Sequence, residues 1–334
     1  MERRTTAGAR AAVSRGLATY RRVDYNRHPR RTLVQTRRGG IPISARTLTE
    51  AGDGRLTIAI PAKGRLREPS SHLLEVAGLA PEQPGERALA FPCRNAPVDV
   101  LLVRAADIPE YVQDGVVDCG ITGADLVRER GARVRQLLQL DFGGCTLQAA
   151  VPQENEATAV EDLAGMRVAT VFPRLTAELL AERDVEVELV DVTGSVEVAP
   201  RLGLADAIVD LVSSGNTMRT NGLRSLGVLF SSEAVLISRE DPDEDAEQLG
   251  RVFKSVVDAR AARYLMMNAP AEALPAISNI VPGRRSPTVI PLSEDGMNAV
   301  HVLVPAAEVW QLLPKLEEAG ASSILLVPVE RMLG

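Results

Sequence analysis

DAIVDLVSSGNTM, residues 206–218, is the stretch of the sequence that decides the fold. AIVDLV is an apolar run of strand length, and residues 213–217 have the small and polar side chains typical of a turn. The residues from Thr217 onward, TMRTNGL, are predicted to begin a helix. A strand that leads through a turn into a helix is the repeating element of α/β proteins.

The same alternation continues on both sides of this stretch. Short aliphatic runs, which are typical of strands buried on both faces, alternate with amphipathic segments such as LTAELLAERD. We therefore predict a mostly parallel α/β sheet. Its strands are expected within residues 56–62, 98–105, 116–122, 147–152, 167–173, 185–192 and 206–212.

Two segments divide this pattern into two lobes. DFGGC, 141–145, precedes a long apolar run, and SSEAVLISR, 231–239, provides a second crossing. Two crossings predict a clamshell with a cleft between its lobes. We assign lobe I to residues 55–145 with 233–242, and lobe II to residues 146–232.

A different order of elements follows from residue 243 onward. The apolar positions from Leu249 to Val257 have helical spacing. Strands and helices then alternate as βαββαβ, which is the ferredoxin-like plan. We assign residues 243–334 to this separate domain. Its segments are RYLMMNAP, AEALPAISNIV, SPTVIPLS, MNAVHVLVP, VWQLLPKLEEAG and SSILLVPVE.

The first 54 residues differ from the rest in charge. They hold twelve Arg against four acidic residues, whereas the whole chain has a net charge of -6. Without apolar periodicity, this basic segment is predicted to lack a fixed structure. A dispensable extension, a start codon placed too early, a transit peptide and a basic tail that touches nucleic acid all remain open.

For residues 55–334, composition argues against several classes of site. Its acidic balance argues against nucleic-acid binding, and no apolar run is long enough for a membrane span. Cys93, Cys119 and Cys145 lack the paired spacing of a metal site and are expected to be free thiols in the cytoplasm. The three scattered histidines support neither a zinc site nor a catalytic triad.

The stretch around residues 206–218 also carries chemistry. Small residues allow backbone N–H groups to approach a phosphate, and the start of the following helix offers further donors. Asp206 and Asp210 provide carboxylates for ribose hydroxyls or Mg²⁺. The residues alone therefore predict a site for a phosphate or sugar phosphate, although an ordinary strand-ending turn would have a similar composition.

The spacing of residues 197–218 resembles the signature of ATP phosphoribosyltransferases. It runs Glu197, five residues, Gly203, one residue, Ala205, two residues, Ile208, one residue, Asp210, and then Ser214-Gly215-x-Thr217-Met218. IPAKGRL, VRAADIPEYVQDGVVDCGITGADL and LDFGGCTLQAAVP resemble further blocks of that family, and the C-terminal blocks resemble the regulatory domain of its long form. The likeness covers about residues 55–334.

The resemblance implies a fold and a reaction. The fold is a two-lobed catalytic part like the type II periplasmic binding proteins, followed by the ferredoxin-like domain. The reaction joins phosphoribosyl pyrophosphate (PRPP) to N1 of ATP and releases pyrophosphate, as the first step of L-histidine biosynthesis. Mg²⁺ is implied as the cofactor, held mainly by PRPP and near Asp206.

The resemblance also implies roles for individual residues. Catalysis is expected of Lys63, Arg65, Arg104, Glu197 and Asp206. Contacts to ATP are expected of Lys63, Gly64, Arg65, Arg104 and Phe172, where many relatives have Tyr. Contacts to PRPP are expected of Asp206, Ala207, Asp210, Ser213, Ser214, Gly215, Asn216 and Thr217.

The ferredoxin-like domain is expected to bind L-histidine as a feedback inhibitor. The positions that resemble the family's pocket are Asn268, Thr288, Ser322 and Ser323. The family also implies a homo-oligomer, a dimer that assembles into a hexamer. Two other functions remain alternatives for the sequence: a nucleobase-salvage phosphoribosyltransferase and a non-catalytic clamshell that binds a ligand.

Overall fold

A computed structural model describes residues 20–22, 54–82, 89–212, 216–281 and 287–333, with the backbone alone for Tyr20–Arg22, Asn216 and Thr217. The strands are β1 Tyr20–Arg22, β2 Leu56–Pro61, β3 Ala90–Pro92, β4 Val98–Val103, β5 Cys119–Gly123, β6 Arg135–Gln139, β7 Cys145–Pro152, β8 Arg167–Thr170, β9 Glu188–Asp191, β10 Ala207–Val212, β11 Leu223–Ser232, β12 Ala234–Ser238, β13 Ala262–Pro270, β14 Thr288–Pro291, β15 Met297–Pro305 and β16 Ser322–Pro328. The helices are α1 Arg67–Val76, α2 Ile108–Gln113, α3 Ala124–Arg130, α4 Pro173–Ala181, α5 Asn216–Thr220, α6 Glu244–Arg260, α7 Leu274–Ile280 and α8 Val309–Glu318.

The described chain divides into two units. Residues 145–231, together with Tyr20–Arg22, form what we call the insertion unit. Residues 54–144 and 232–333 form the main unit. The insertion unit begins and ends within one residue of the limits proposed for lobe II.

The first sheet of the main unit has six strands in the order β3-β4-β2-β5-β12-β6. β2 pairs in parallel with β4 and β5, and the β3–β4, β5–β12 and β12–β6 pairs are antiparallel. Ile58, Val100 and Ile121 are completely buried in this sheet. The α/β prediction is confirmed, but the sheet is mixed, because three parallel strands are flanked by antiparallel ones.

The insertion unit has a second six-stranded sheet, in the order β1-β9-β8-β10-β7-β11. β1, β9, β8 and β10 run parallel, whereas β7 pairs antiparallel with β10. The strand β1 departs from our expectation that residues 1–54 lack fixed structure; residues 1–19 and 23–53 of that segment lie outside the described residues.

Helix α6 packs against the first sheet of the main unit. The Asp243 side chain accepts a hydrogen bond from the N–H of Ala246 at 2.9 Å, which caps the helix. Leu249, Phe253 and Val256 then join the buried cluster that contains Ile58 of β2. By its packing, α6 therefore belongs with the first α/β sheet, although we assign it to the C-terminal domain from the sequence. The limits of that domain remain a prediction.

The C-terminal part forms a four-stranded antiparallel sheet in the order β14-β15-β13-β16, with its own core of residues such as Leu265, Ile277 and Val300. The βαββαβ prediction is confirmed. After β16, Arg331 Nη1 donates to the Ala77 carbonyl at 3.2 Å, and the N–H of Met332 donates to the Ser255 carbonyl at 2.9 Å. The tail thus bonds to the end of α1 and to α6.

The three cysteines are free and buried, as expected. Burial raises the pKa of Cys119 to about 12, so its thiol is a poor nucleophile at neutral pH. Within the described ranges, we find no helix with the length and apolar character required to cross a membrane.

Candidate functional site

The carboxyl ends of β8, β9 and β10 lie at one edge of the insertion-unit sheet, because these strands are parallel and adjacent. In open α/β sheets, ligands bind at this edge. β10 leads directly into the predicted phosphate-binding loop, and α5 begins at Asn216. Ser213, Ser214 and Gly215 lie outside the described residues, as do the side chains of Asn216 and Thr217.

Asp210 and Glu197 provide two carboxylates at this edge. Asp210 is partly buried on β10, and Glu197 lies in the 3-10 turn Val196–Val198 that follows β9. Burial raises the pKa of Asp210, and the charge of Glu197 raises it further, whereas the N–H of Leu211, which donates to Asp210 Oδ1 at 2.8 Å, lowers it. A carboxyl group in such surroundings is stabilised by hydroxyl donors or by a cation.

Gln148 is a polar neighbour of Asp210 that the sequence analysis missed. It stands directly opposite Asp210 in the β7–β10 pairing, and its Oε1 accepts a hydrogen bond from Ser225 Oγ at 2.7 Å. The only signal in the sequence was one polar residue inside the apolar run LQAAVP.

Asp206 lies at the opposite edge from the loop. It immediately precedes β10, so the six residues of that strand separate it from the loop, a distance of roughly 20 Å. Arg167 Nη2 donates to Asp206 Oδ1 at 2.7 Å and Arg167 Nε donates to Oδ2 at 3.1 Å. The structure therefore does not bring Asp206 to the residues with which it was expected to bind PRPP, and Ala207 lies at the same remote end.

Phe172 lies at the carboxyl end of β8 but its ring is buried, with 6% of the residue exposed. Its N–H donates to Thr170 Oγ1 at 2.9 Å, just before α4 begins. In this arrangement the ring packs inside the unit, and its stacking on adenine remains a prediction.

The predicted cations share one edge of the main-unit sheet. β2 and β4 are parallel neighbours with Pro61 opposite Val103, and the N–H of Ala62 donates to the Val103 carbonyl at 2.7 Å. Lys63 and Arg104 follow the ends of these strands and are exposed. Gly64, in the turn between Lys63 and Arg65, has a φ of 86°, which favours glycine.

Arg65 has partners that the sequence did not reveal. Its Nη1 donates to the Gly143 carbonyl, and its Nη2 lies 3.9 Å from Oδ1 of Asp125. Asp125 belongs to the first turn of α3 and is buried, which is unusual for an aspartate. Thus Lys63, Arg65 and Arg104 form a basic edge, with one buried acid behind Arg65.

The predicted histidine-binding residues lie on the C-terminal sheet. Asn268 stands opposite Ser322, and Ser322 Oγ donates to the Asn268 carbonyl at 3.4 Å. Ser323 has a φ of 50°, where the pairing with β13 becomes irregular. Thr288 pairs with His301, whereas Asn268 pairs with Ala299, so the register places Thr288 about 12 Å from Asn268. Asn268, Ser322 and Ser323 are grouped, and Thr288 is separate from them.

The parts of the chain that the structure describes contain no group of three or more His, Cys, Asp or Glu residues suited to holding a metal ion. Asp210 with Glu197 offers two carboxylates, whose hard oxygen atoms match the preference of Mg²⁺. The Asp206 carboxylate is instead occupied by Arg167.

Comparisons with known proteins agree with this architecture. The family model described as ATP phosphoribosyltransferase matches residues 104–257, and the model of the HisG C-terminal domain matches residues 259–331. The ATP phosphoribosyltransferase of Methanococcoides burtonii is 42% identical over 83% of this chain and 99% of its own length. That of Halobacterium salinarum is 41% identical over 83% of this chain and all of its own length.

Among solved structures, the ATP phosphoribosyl transferase (HisG:HisZ) complex from Thermotoga maritima is 26% identical, with a TM-score of 0.53. The match covers 61% of this chain and 98% of that one. The fold class is the predicted one: a catalytic part like the type II periplasmic binding proteins, followed by the ferredoxin-like domain. The chain belongs to the ATP phosphoribosyltransferase family in its long form, and it transfers the phosphoribosyl group of PRPP to N1 of ATP in the first step of L-histidine biosynthesis.

Proposed function

We propose that PRPP binds at the carboxyl edge of β8, β9 and β10 in the insertion unit. Its 5-phosphate is held by residues 213–217 and by the backbone N–H groups that begin α5. Its ribose hydroxyls donate hydrogen bonds to Asp210 and Glu197. The observation that carries this assignment is the position of Asp210: partly buried, beside Glu197, and three residues before the loop.

Asp210 replaces Asp206 in this proposal. A ribose hydroxyl must be within hydrogen-bonding distance of its acceptor, about 2.5–3.0 Å for O–H···O bonds. The full length of β10 separates Asp206 from the loop, and Arg167 satisfies both of its carboxylate oxygens. We therefore propose that Asp206 and Ala207 have no direct role in binding PRPP.

The basic edge of the main unit is proposed to hold the phosphate groups of ATP and the departing pyrophosphate. Lys63 and Arg104 are exposed just beyond the ends of two neighbouring strands, and Arg65 is 38% exposed, so all three are accessible to anions. Arg binds phosphate oxygens bidentately, and Lys serves as a compact charge. The open turn at Gly64, where a Cβ would meet no atom within 4 Å, leaves room for a close approach by ATP.

These residues supply what the reaction requires. Adenine N1 forms a bond to ribose C1 while the bond from C1 to the pyrophosphate oxygen breaks. Because pyrophosphate leaves with its own charge, no covalent catalyst is needed. Alignment of N1 with C1 contributes up to ~7–11 kcal/mol in well-oriented reactions, and fixed cations stabilise the charge that develops on the leaving group.

Mg²⁺ is proposed to accompany PRPP. When bound, it would neutralise charge on the pyrophosphate oxygens. Asp210 and Glu197 are the described carboxylates that would contact it at this edge, where the raised pKa of Asp210 indicates a site that a cation would stabilise. We propose that most of its ligands are substrate oxygens and water.

Feedback inhibition by L-histidine is proposed for the C-terminal domain. The match of residues 259–331 to the HisG C-terminal domain and the grouping of Asn268, Ser322 and Ser323 support it. We also propose the homo-oligomer that the family implies, a dimer that assembles into a hexamer. Exposed apolar side chains on the same sheet, Leu325 and Val327 among them, support contacts between copies of the chain. A cytoplasmic location, expected from the free thiols, remains a prediction.

The decisive experiment compares Asp210→Asn with Asp206→Asn. Both changes remove one negative charge, from a residue just before β10 in one case and from a residue within β10 in the other. Initial rates measured over a range of PRPP concentrations should show a loss of at least ~100-fold in kcat/KM for Asp210→Asn, as expected when charge-assisted hydrogen bonds are lost. Asp206→Asn should retain kcat/KM within about threefold. The opposite ranking would return Asp206 to the site and contradict the proposal.

A further inference from the structure

Asp125 is a buried charge for which the reaction has no direct use. Only 1% of the residue is exposed. Its Oδ1 accepts a hydrogen bond from Ser232 Oγ at 2.6 Å, and its own N–H donates to Ser232 Oγ at 3.0 Å. An isolated buried carboxylate is costly, so it requires such donors or a cation. Ser232 holds one oxygen of Asp125 in a defined direction.

That oxygen faces Arg65. Arg65 Nη2 lies 3.9 Å from Asp125 Oδ1, and Arg65 Nη1 donates to the Gly143 carbonyl. Two guanidinium nitrogens of Arg65 thus face protein acceptors, and 38% of the side chain is exposed. This is the arrangement required of a cation that must meet an incoming phosphate in one orientation.

Two glycines make room for this arrangement. A Cβ on Gly123 would lie 2.1 Å from Asp125 Oδ1. A Cβ on Gly143 would lie 2.2 Å from Leu66 Cδ2 and 3.5 Å from Arg65 Nη1, and the φ of 67° also favours glycine there. Any side chain at Gly123 would therefore displace the Asp125 carboxylate, and a side chain at Gly143 would displace the Leu66 side chain beside Arg65.

We propose that Asp125, oriented by Ser232, is a positioning residue that fixes the Arg65 guanidinium for contact with substrate phosphate. This inference rests on the proposed role of Arg65 in phosphate binding. Asp125 itself touches no substrate. Its carboxylate restricts the rotation of Arg65 before the substrate arrives, so less conformational entropy is lost on binding.

A double-mutant cycle tests the proposal in the full-length enzyme. Asp125→Asn keeps the size of the side chain and removes its charge. We expect it to lower kcat/KM by about tenfold or more, the effect of one charge-assisted contact. Arg65→Ala should lower kcat/KM at least as much. In the double variant, Asp125→Asn should cause no further loss, because its effect passes through Arg65.

Two further variants keep the result clear. Ser232→Ala removes the donor that orients Asp125 and should lower kcat/KM by a few-fold, again only while Arg65 is present. If Asp125→Asn does not fold, Ser232→Ala tests the positioning role in its place. Glu247→Gln is the control, because it removes a carboxylate 3.6 Å from Arg135 in the same unit and should leave kinetics unchanged. Melting temperatures verify that each variant is folded.

The outcomes separate the two proposals. A folded Asp125→Asn enzyme with full activity beside an impaired Arg65→Ala enzyme would overturn the positioning role alone. Losses that multiply in the double variant would do the same, because they would show that Asp125 acts independently of Arg65. Unchanged kinetics in Arg65→Ala would remove Arg65 from the proposed site, and with it the role of Asp125.

Discussion

Asp206 immediately precedes β10, whereas Asp210 lies four residues further along, in the half of the strand that leads to the loop. Asp206 is held by Arg167 at the amino end, and Asp210 lies beside Glu197 near the carboxyl end. The environments shift the two carboxyl pKa values in opposite directions: the hydrogen bond from Arg167 lowers that of Asp206, and burial raises that of Asp210. We therefore expect Asp206 to stabilise the fold and propose that Asp210 binds the ligand.

The Asp206–Arg167 pair should stabilise the fold in a pH-dependent manner. Because the pKa of Asp206 is lowered in the folded protein, its contribution is complete above the unfolded value of about 3.9 and is lost as the pH falls through the folded pKa. Asp206→Asn should therefore lower the urea midpoint at pH 7. The difference from wild type should shrink below about pH 4. A constant difference across this range would contradict the assignment.

Asp210→Asn should show the opposite effect on stability. Because burial raises the pKa of Asp210, the charged form destabilises the folded protein at neutral pH. Replacement with Asn removes that charge, so the variant should melt at a higher temperature than wild type at pH 7 while losing activity. The gain should disappear as the pH falls below about 3.9, where the wild-type carboxyl is protonated in both states. Thermal melts of both proteins at pH 3.5 and pH 7 provide the comparison.

Arg104 should contribute to ATP binding through its position at the end of β4. Arg104→Ala is expected to lower kcat/KM for ATP by about 10–100-fold, which corresponds to the ~1.5–3 kcal/mol of a hydrogen bond to a charged group. Arg94→Ala is the matched control, because Arg94 is also exposed but precedes the same strand. Initial rates measured at varied ATP and constant PRPP concentration compare the Arg104→Ala and Arg94→Ala variants. Equal losses in both variants would indicate a general charge effect rather than a contact.

The strands and helices could be predicted because each of them follows from a local pattern of apolar residues in the sequence. The apolar run around Ile58 and the helical spacing of Leu249, Phe253 and Val256 both identify real elements. The mixed pairing of the sheets could not be predicted in the same way, since the direction of β12 depends on which strands become its neighbours, β5 and β6. That choice belongs to tertiary packing, not to the local sequence.

The positions of the candidate site residues could be predicted only where these residues directly follow neighbouring strands. Lys63 and Arg104 were identified from blocks that directly follow strands, and both lie at one sheet edge. The resemblance assigns catalysis to Asp206 and only a PRPP contact to Asp210, and the sequence gives no sign of the Arg167 side chain beside Asp206. The burial of Phe172 and the contact of Asp125 with Ser232, 107 residues later, likewise depend on the folded chain.

Histidine sensitivity should be separable from catalysis by a cut after Arg260 but not by one after residue 242. Helix α6 contributes Leu249, Phe253 and Val256 to the core of the first sheet, and each such side chain stabilises the fold by about 1.5–3 kcal/mol when fully buried. A chain ending at residue 242 should therefore unfold, whereas one ending at Arg260 should remain active and lose inhibition by L-histidine. The full-length Asn268→Ala variant, which keeps every element, should also lose inhibition while retaining kcat. If both the Arg260 truncation and Asn268→Ala remained inhibited by L-histidine, the effector site would lie outside the C-terminal sheet.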